Sequence, residues 1–188
     1  MSKLAIDFNF LKELEGGLLL SGYIIDSGNE PTGVRIASGI ELGSYTVEKL
    51  RALNINPILT GKLYPYIGKK GDEAKAYLKE FPLRLSENEA EILMKSAHQQ
   101  KLEPLTRIYR KDSGNSLHHI PSAWQTVIAS LELQYSGIHE KHPLFWRCVT
   151  EQSWDEALHL LRNFDDKFST RRNTEADYIE LHCSETSG

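Results

Sequence analysis

A chain of 188 residues with 40% hydrophobic content can bury a real core, as one compact domain or two small lobes sharing a helix, which excludes disorder as the default. With 22 Lys and Arg against 26 Asp and Glu, the net charge of −4 gives no broad attraction to nucleic acid or anionic lipid. Met1–Leu11 lacks a basic stretch leading into an uninterrupted apolar one, and no run of 18 apolar residues occurs, so neither a signal peptide nor membrane insertion is expected.

The first predicted element is a helix over Asp7–Glu15, with Phe8, Leu11 and Leu14 on helical spacing, Asp7 as its cap and Gly16-Gly17 as its stop. Between Leu18 and Gly43 the character changes. Tyr23, Ile24 and Ile25, then Val34 and Ile36, flank the turn-rich stretch Asp26–Pro31 and predict a hairpin or three short strands. Helical patterns follow over Thr46–Leu53, Pro57–Tyr64 and Asp72–Phe81, each bounded by Gly or Pro. Ser86-Glu87-Asn88-Glu89 is a capping box opening a helix to about Glu103, roughly 27 Å long and able to connect two lobes.

After a loop at Lys111–Ser116, Pro121 starts a strongly apolar helix through Trp124, Val127, Ile128, Leu131 and Tyr135, the expected core of a second lobe. Two more helices are predicted over Pro143–Glu151 and Ser153–Phe164, the latter opened by a second capping box at Ser153–Glu156, and a last one runs from Ser169 to about Leu181. Trp124, Trp146 and Trp154 fall on apolar helical faces and are assigned to packing. Cys148 and Cys183 form neither a disulfide framework nor a metal spacing and are expected as free thiols. The seven histidines are scattered, His118 beside His119 and His139 with His142 in an expected loop. None has a carboxylate at a ligand spacing, so neither a metal nor a cofactor is called for.

Carboxylates carry the remaining chemical signal. A glycosidase needs one carboxylic acid to protonate the leaving oxygen, and usually a second carboxylate to activate water or attack the anomeric carbon. Glu15 ends an amphipathic helix just before Leu18-Leu19-Leu20, where an apolar setting would raise its pKa, and Asp26, Glu30 and Glu41 are candidate partners. The alternative is a solvated helix-terminal glutamate, and spacing alone does not decide between them.

The run Leu14-Glu15-Gly16, Gly22-Tyr23, Thr32-Gly33-Val34 and Ser38-Gly39-Ile40-Glu41-Leu42-Gly43 resembles the catalytic segment of pesticin-like lysozymes. The likeness continues through Lys62-Leu63, Gly71 and Pro82–Ala90 in the same order with similar gaps. Gln134, Trp154–Ala157 and Arg171-Arg172 resemble the helical lobe of phage lysozymes. The resemblance implies an α+β, lysozyme-like single domain: an N-terminal lobe with a β-hairpin over about residues 8–85, a connecting helix over about 86–103, and a helical C-terminal lobe over about 104–183. It implies a muramidase with Glu15 as general acid and, where the family usually has Asp in a Gly-x-Asp-Leu-Gly motif, Glu41 as second carboxylate.

Arg35 stands where the family usually has threonine. It pairs with Glu41 or Glu15, or binds a glycan or stem-peptide carboxylate, or marks a weakened enzyme. Thr32 could supply the missing hydroxyl and Asp26 a further carboxylate. By resemblance Gln134 faces the cleft and binds sugar, Arg171 is a further substrate contact, and Tyr23 either stacks on a sugar or packs in the core. The implied partners are peptidoglycan glycan strands, an immunity protein and delivery machinery, since the chain is expected to be made in the cytoplasm yet act in the periplasm or wall. A glycan-binding module without turnover and an adaptor protein of the delivery apparatus are the rival classes. Carboxyls about 6.5 to 9.5 Å apart would give inversion, and about 5 Å retention.

Overall fold

The computed structural model describes residues 4–25 and 30–184. The chain adopts the expected α+β class, with a small antiparallel sheet near its start and helices through the remainder. The described residues form two compact units. Residues 12–100 make one, and those up to Leu11 together with those from Lys101 onward make the other.

Helix α1 (Phe8–Leu14) begins where Asp7 Oδ1 accepts hydrogen bonds from the backbone N–H groups of Asn9 (2.9 Å) and Phe10 (3.0 Å), satisfying donors that a helix start leaves open. In the 12–100 unit, strands β1 (Leu19–Tyr23), β2 (Arg35–Ala37) and β3 (Ile40–Glu41) pair antiparallel in that order. The register sets Tyr23 opposite Arg35 and Arg35 opposite Glu41, with an irregularity between Leu19 and Tyr23. Ala37 and Gly39 turn the β2–β3 hairpin with φ of 56° and 86°; for Ala37 this left-handed backbone costs roughly 1–2 kcal/mol.

Helices α2 (Val47–Ala52), α3 (Pro57–Leu63) and α4 (Gly71–Glu80) follow, with Thr46 and Asn56 capping the first two. The unit's core gathers Val34 and Ile36 of the sheet with Leu50, Leu59, Leu63, Ala74, Leu93 and Ala97. On the other side of β1, Gly22 N–H donates to Leu83 O and Leu85 N–H to Leu20 O, both at 2.9 Å, so the segment entering the next helix adds to the sheet edge.

That helix, α5 (Glu87–Ser113), contributes to both units. Its capping box is complete: Ser86 N–H donates to Glu89 Oε2 (2.8 Å) and Glu89 N–H to Ser86 Oγ (3.2 Å). Contrary to expectation it does not end near Glu103. Pro104 removes one hydrogen bond, yet Leu102, Leu105 and Tyr109 continue a buried stripe at helical spacing that outweighs the loss.

The second unit is built on α6 (Ser122–Tyr135), buried continuously from Ala123 to Leu131 as an interior helix must be. Around it lie α7 (Ile138–Lys141), α8 (Pro143–Glu151), α9 (Trp154–Arg162) and α10 (Ser169–Ser184). Trp124 stacks on Trp154 at 4.9 Å and Trp146 meets Tyr109 edge-on at 5.9 Å, so all three tryptophans pack.

Two further expectations fail here. Ser153 makes no side-chain cap bond, because Gln152 turns left-handed (φ 58°) to close α8 and Ser153 N–H is used on Cys148 O. His139 lies within α7 rather than in a loop, the turn being held by Glu132, whose oxygens accept from the N–H groups of Gly137 and Ile138. Neither cysteine is in a disulfide, and Cys148 is buried while Cys183 is partly so. Among the described residues no helix is long and apolar enough to cross a membrane.

Candidate active site

Glu15 follows the last residue of α1, and the turn after it depends on two glycines. Gly16 N–H donates to Glu13 O (3.1 Å) and Gly17 N–H to Lys12 O (2.9 Å), with φ of 82° and 90°. A Cβ on either would meet nothing within 4 Å, so the requirement there is backbone conformation rather than space. Lys12 Nζ reaches Glu91 Oε1 of α5 at 3.0 Å, and Glu15 Oε1 lies 3.3 Å from His98 Nε2 of the same helix. The side chains of Glu15 and His98 are only 17% and 6% exposed. A buried imidazole is therefore one neighbour of Glu15.

Glu41 sits at the end of β3, held from two sides. Its Oε2 accepts from Arg35 Nη2 at 2.8 Å, the cross-strand partner set by the register, and its Oε1 accepts from Gly33 N–H at 3.1 Å. Arg35 Nη1 also reaches Gly39 O at 3.5 Å. Of the two carboxylates considered as partners for Arg35, Glu41 is the one it pairs with here.

The Gly33 N–H is placed by close backbone packing. A Cβ on Gly33 would lie 2.5 Å from Gly43 Cα and 2.8 Å from Lys69 O, and a Cβ on Gly43 would lie 2.5 Å from that same Lys69 O. Only glycine at both positions lets the 33, 43 and 69 backbones meet.

Thr32 lies next to this cradle, its hydroxyl donating to Ile25 O at 2.5 Å. Tyr23 is half-buried on β1, with its hydroxyl near Gly39. Asp26 lies outside the described residues. Glu15, Tyr23, Thr32, Arg35 and Glu41 all belong to the 12–100 unit.

Gln134 and Arg171 belong to the other unit, in a dense polar network. Gln134 Oε1 accepts from Arg172 Nη2, while Arg171 donates to Ser130 Oγ (2.9 Å) and Glu175 Oε1 (3.3 Å). Arg172 and Glu175, neither exposed at all, pair at 2.5 Å. Ser130 Oγ donates to Glu175 at 2.5 Å, and Asp166 accepts from the Tyr135 hydroxyl and lies 3.3 Å from Arg172 Nε.

Burial pushes the Glu175 carboxyl up and the Arg172 guanidinium down, each only partly offset by the other's charge, and burial with the Asp166 contact pushes the Tyr135 hydroxyl up to about 12. Arg172 and Glu175, unremarked as a pair in the sequence, are the centre of this network; their three-residue spacing on a helix is the signal that could have found them.

Chemically, the first unit offers two carboxyl groups in unlike settings. Glu15 meets a side chain that itself titrates, whereas Glu41 meets a permanent cation and a backbone donor. Unlike settings are what separates acid from base roles. Among the described residues no group of three or more His, Cys, Asp or Glu side chains could hold a metal ion.

No curated protein matches the chain. A sequence family does, described as "Pesticin: Bacterial toxin homologue of phage lysozyme, C-term", over residues 5–155. This match covers well over half of the chain and takes in Glu15, Arg35, Glu41 and Gln134. The chain belongs to the pesticin family, the bacterial toxin homologues of phage lysozyme.

Proposed function

We propose that this chain is a muramidase that hydrolyses the β-1,4 bond from N-acetylmuramic acid to N-acetylglucosamine in peptidoglycan, acting as an antibacterial toxin. At the family level, membership supports a muramidase-like peptidoglycan hydrolase, and the match across residues 5–155 carries the reading. In the reaction Glu15 gives its proton to the glycosidic oxygen, the C–O bond breaks, and one sugar leaves as an alcohol. Water, oriented by Glu41, gives its hydroxyl to the anomeric carbon and its remaining proton to Glu41, and proton exchange with solvent returns Glu15 to the acid and Glu41 to the carboxylate.

A carboxylate offers about four lone-pair sites. Gly33 N–H and Arg35 use two on Glu41, leaving acceptor capacity for a water and making Arg35 an orienting residue. Thr32 is the hydroxyl nearest in sequence to that cradle, Asp26 remains a candidate further carboxylate, and Tyr23 offers a ring face to a sugar. Gln134 would meet sugar through its amide NH2, since its oxygen accepts from Arg172; Arg171 would do so through its guanidinium. Action in the wall or periplasm would require delivery machinery, and the producing cell an immunity protein.

The test is mass spectrometry of fragments released from purified peptidoglycan. Muropeptides with N-acetylmuramic acid at the reducing end support the reading; cleaved stem peptides or reducing-end N-acetylglucosamine overturn it. The Arg35–Glu41 pair also favours a second reading, a glycan-binding module with weakened turnover, because it occupies Glu41 from both sides. Arg35→Thr separates the two: lytic activity falls if Arg35 orients Glu41, and rises if it suppresses turnover.

A further inference from the structure

His98 takes no part in the proton transfers of the proposed reaction, yet its Nε2 lies 3.3 Å from Oε1 of the proposed acid. It lies on the buried side of α5 beside Leu93, Met94 and Ala97, and its imidazole is nearly enclosed. Burying a polar ring among apolar side chains is unfavourable without a partner, and the Glu15 carboxyl at 3.3 Å supplies one. Glu15 lies just past α1 and before two glycines, and Lys12–Glu91 ties the end of α1 to the same helix that carries His98.

We propose that His98 is a positioning residue for the acid step: its Nε2–H donates to Glu15 Oε1 and thereby aims the proton carried on Oε2 at the glycosidic oxygen. This rests on Glu15 being the general acid. Through the step the imidazole keeps its proton. The proton on Glu15 Oε2 passes to the leaving oxygen as the C–O bond breaks, and Glu15 becomes a carboxylate. The Nε2–H to Oε1 bond then has an ionised acceptor and is stronger than before. An interaction that strengthens as the reaction proceeds lowers the barrier rather than merely holding substrate, so His98 acts on kcat.

The experiment measures kcat and KM on soluble peptidoglycan oligosaccharides for the wild type, His98→Met, His98→Gln and Glu15→Gln, with a melting temperature for each. His98→Met fills the site without a donor and should lower kcat on the order of 100-fold, as loosened placement of a reacting group does, with KM within about twofold. His98→Gln restores a neutral N–H donor and should recover most of that loss. A His98→Met enzyme within about threefold of wild-type kcat overturns the proposal. So does His98→Gln being no better than His98→Met at wild-type melting temperature.

A second measurement does not depend on turnover or on His98→Met folding. Proton–nitrogen correlation spectra should show a slowly exchanging His98 Nε2–H in the wild type that is lost in Glu15→Ala, and a resonance indifferent to Glu15 overturns the pairing. Glu15→Gln retaining glycan cleavage would instead remove Glu15 as the acid, a failure of the proposed function that leaves the His98 resonance unchanged.

Discussion

Replacing Gly33 by alanine introduces one methyl group where the backbones of residues 33, 43 and 69 meet closely. That carbon would sit 2.5 Å from Gly43 Cα, 2.6 Å from Gly43 N and 2.8 Å from Lys69 O. Carbon contacts are comfortable at about 3.5–4.0 Å, so the shortfall is near 1 Å against two separate chain segments, neither of which can rotate away as a side-chain tip would. Overpacking costs about 1–3 kcal/mol, and contact with backbone on two sides places Gly33→Ala at the upper end.

Gly61 is the control. It lies exposed inside α3, and a Cβ added there would meet no atom within 4 Å, so Gly61→Ala only removes a flexible residue from a helix and should stabilise by about 0.5–1 kcal/mol. In a chain of this size about 1 kcal/mol moves the melting temperature by about 2–4 °C. Thermal melts should therefore show Gly33→Ala falling by roughly 6–12 °C and Gly61→Ala rising by a few degrees. Because Gly33 N–H also holds Glu41, any glycan hydrolysis should fall with it. Gly33→Ala melting with the wild type would refute the reasoning.

The buried pair in the second unit predicts that Glu175→Ala costs about 3–5 kcal/mol in urea denaturation, because Arg172 keeps its charge with its closest anion gone; a loss under about 1 kcal/mol would contradict this. His142 supplies a pH signature. Burial holds its pKa below the usual 6.5, outweighing the opposing pull of Asp166, while its ring stacks on Phe164 and meets Tyr135 edge-on. The folded state thus binds fewer protons than the unfolded one. The stability His142 contributes is complete above about 6.5 and is lost as pH falls through the lower folded value. His142→Phe should flatten the decline of the urea midpoint on acidification, and an unchanged slope would count against the assignment.

Local signals in the sequence located most elements, since they act over a few residues. Asp7 and Ser86 with Glu89 cap the helices they were expected to cap, Gly16-Gly17 stops α1, and Pro143 opens α8. Where expectation and structure part, a longer-range preference decided the outcome. A helix was expected to about Glu103, but burial of Leu105 and Tyr109 carried α5 on through Pro104. Ser153 had the letters of a capping box, but the left-handed Gln152 before it redirected the backbone.

The site was legible only in part for the same reason. Glu15, Arg35 and Glu41 were singled out by motif order, and the Arg35–Glu41 pair follows from short hairpin register. The Glu15–His98 pair joins positions far apart in the chain. Its one trace is that His98 falls on the stripe of Leu93, Met94 and Ala97, where a polar residue must find a partner. The Gly33–Gly43 contact was visible as two motif letters without a reason; the reason is three backbones meeting, which no local pattern encodes.

The most direct test of Glu15 as the acid of a muramidase compares wild type and Glu15→Gln for release of reducing-end N-acetylmuramic acid from purified peptidoglycan, with thermal melts run on the same samples. Glutamine keeps the size of the side chain and an oxygen to accept from His98 but has no proton to give. The expected result is a folded variant, melting near the wild type, that releases no such ends while the wild type does. Release at the wild-type rate by the glutamine variant, or none by a folded wild type, would contradict that assignment.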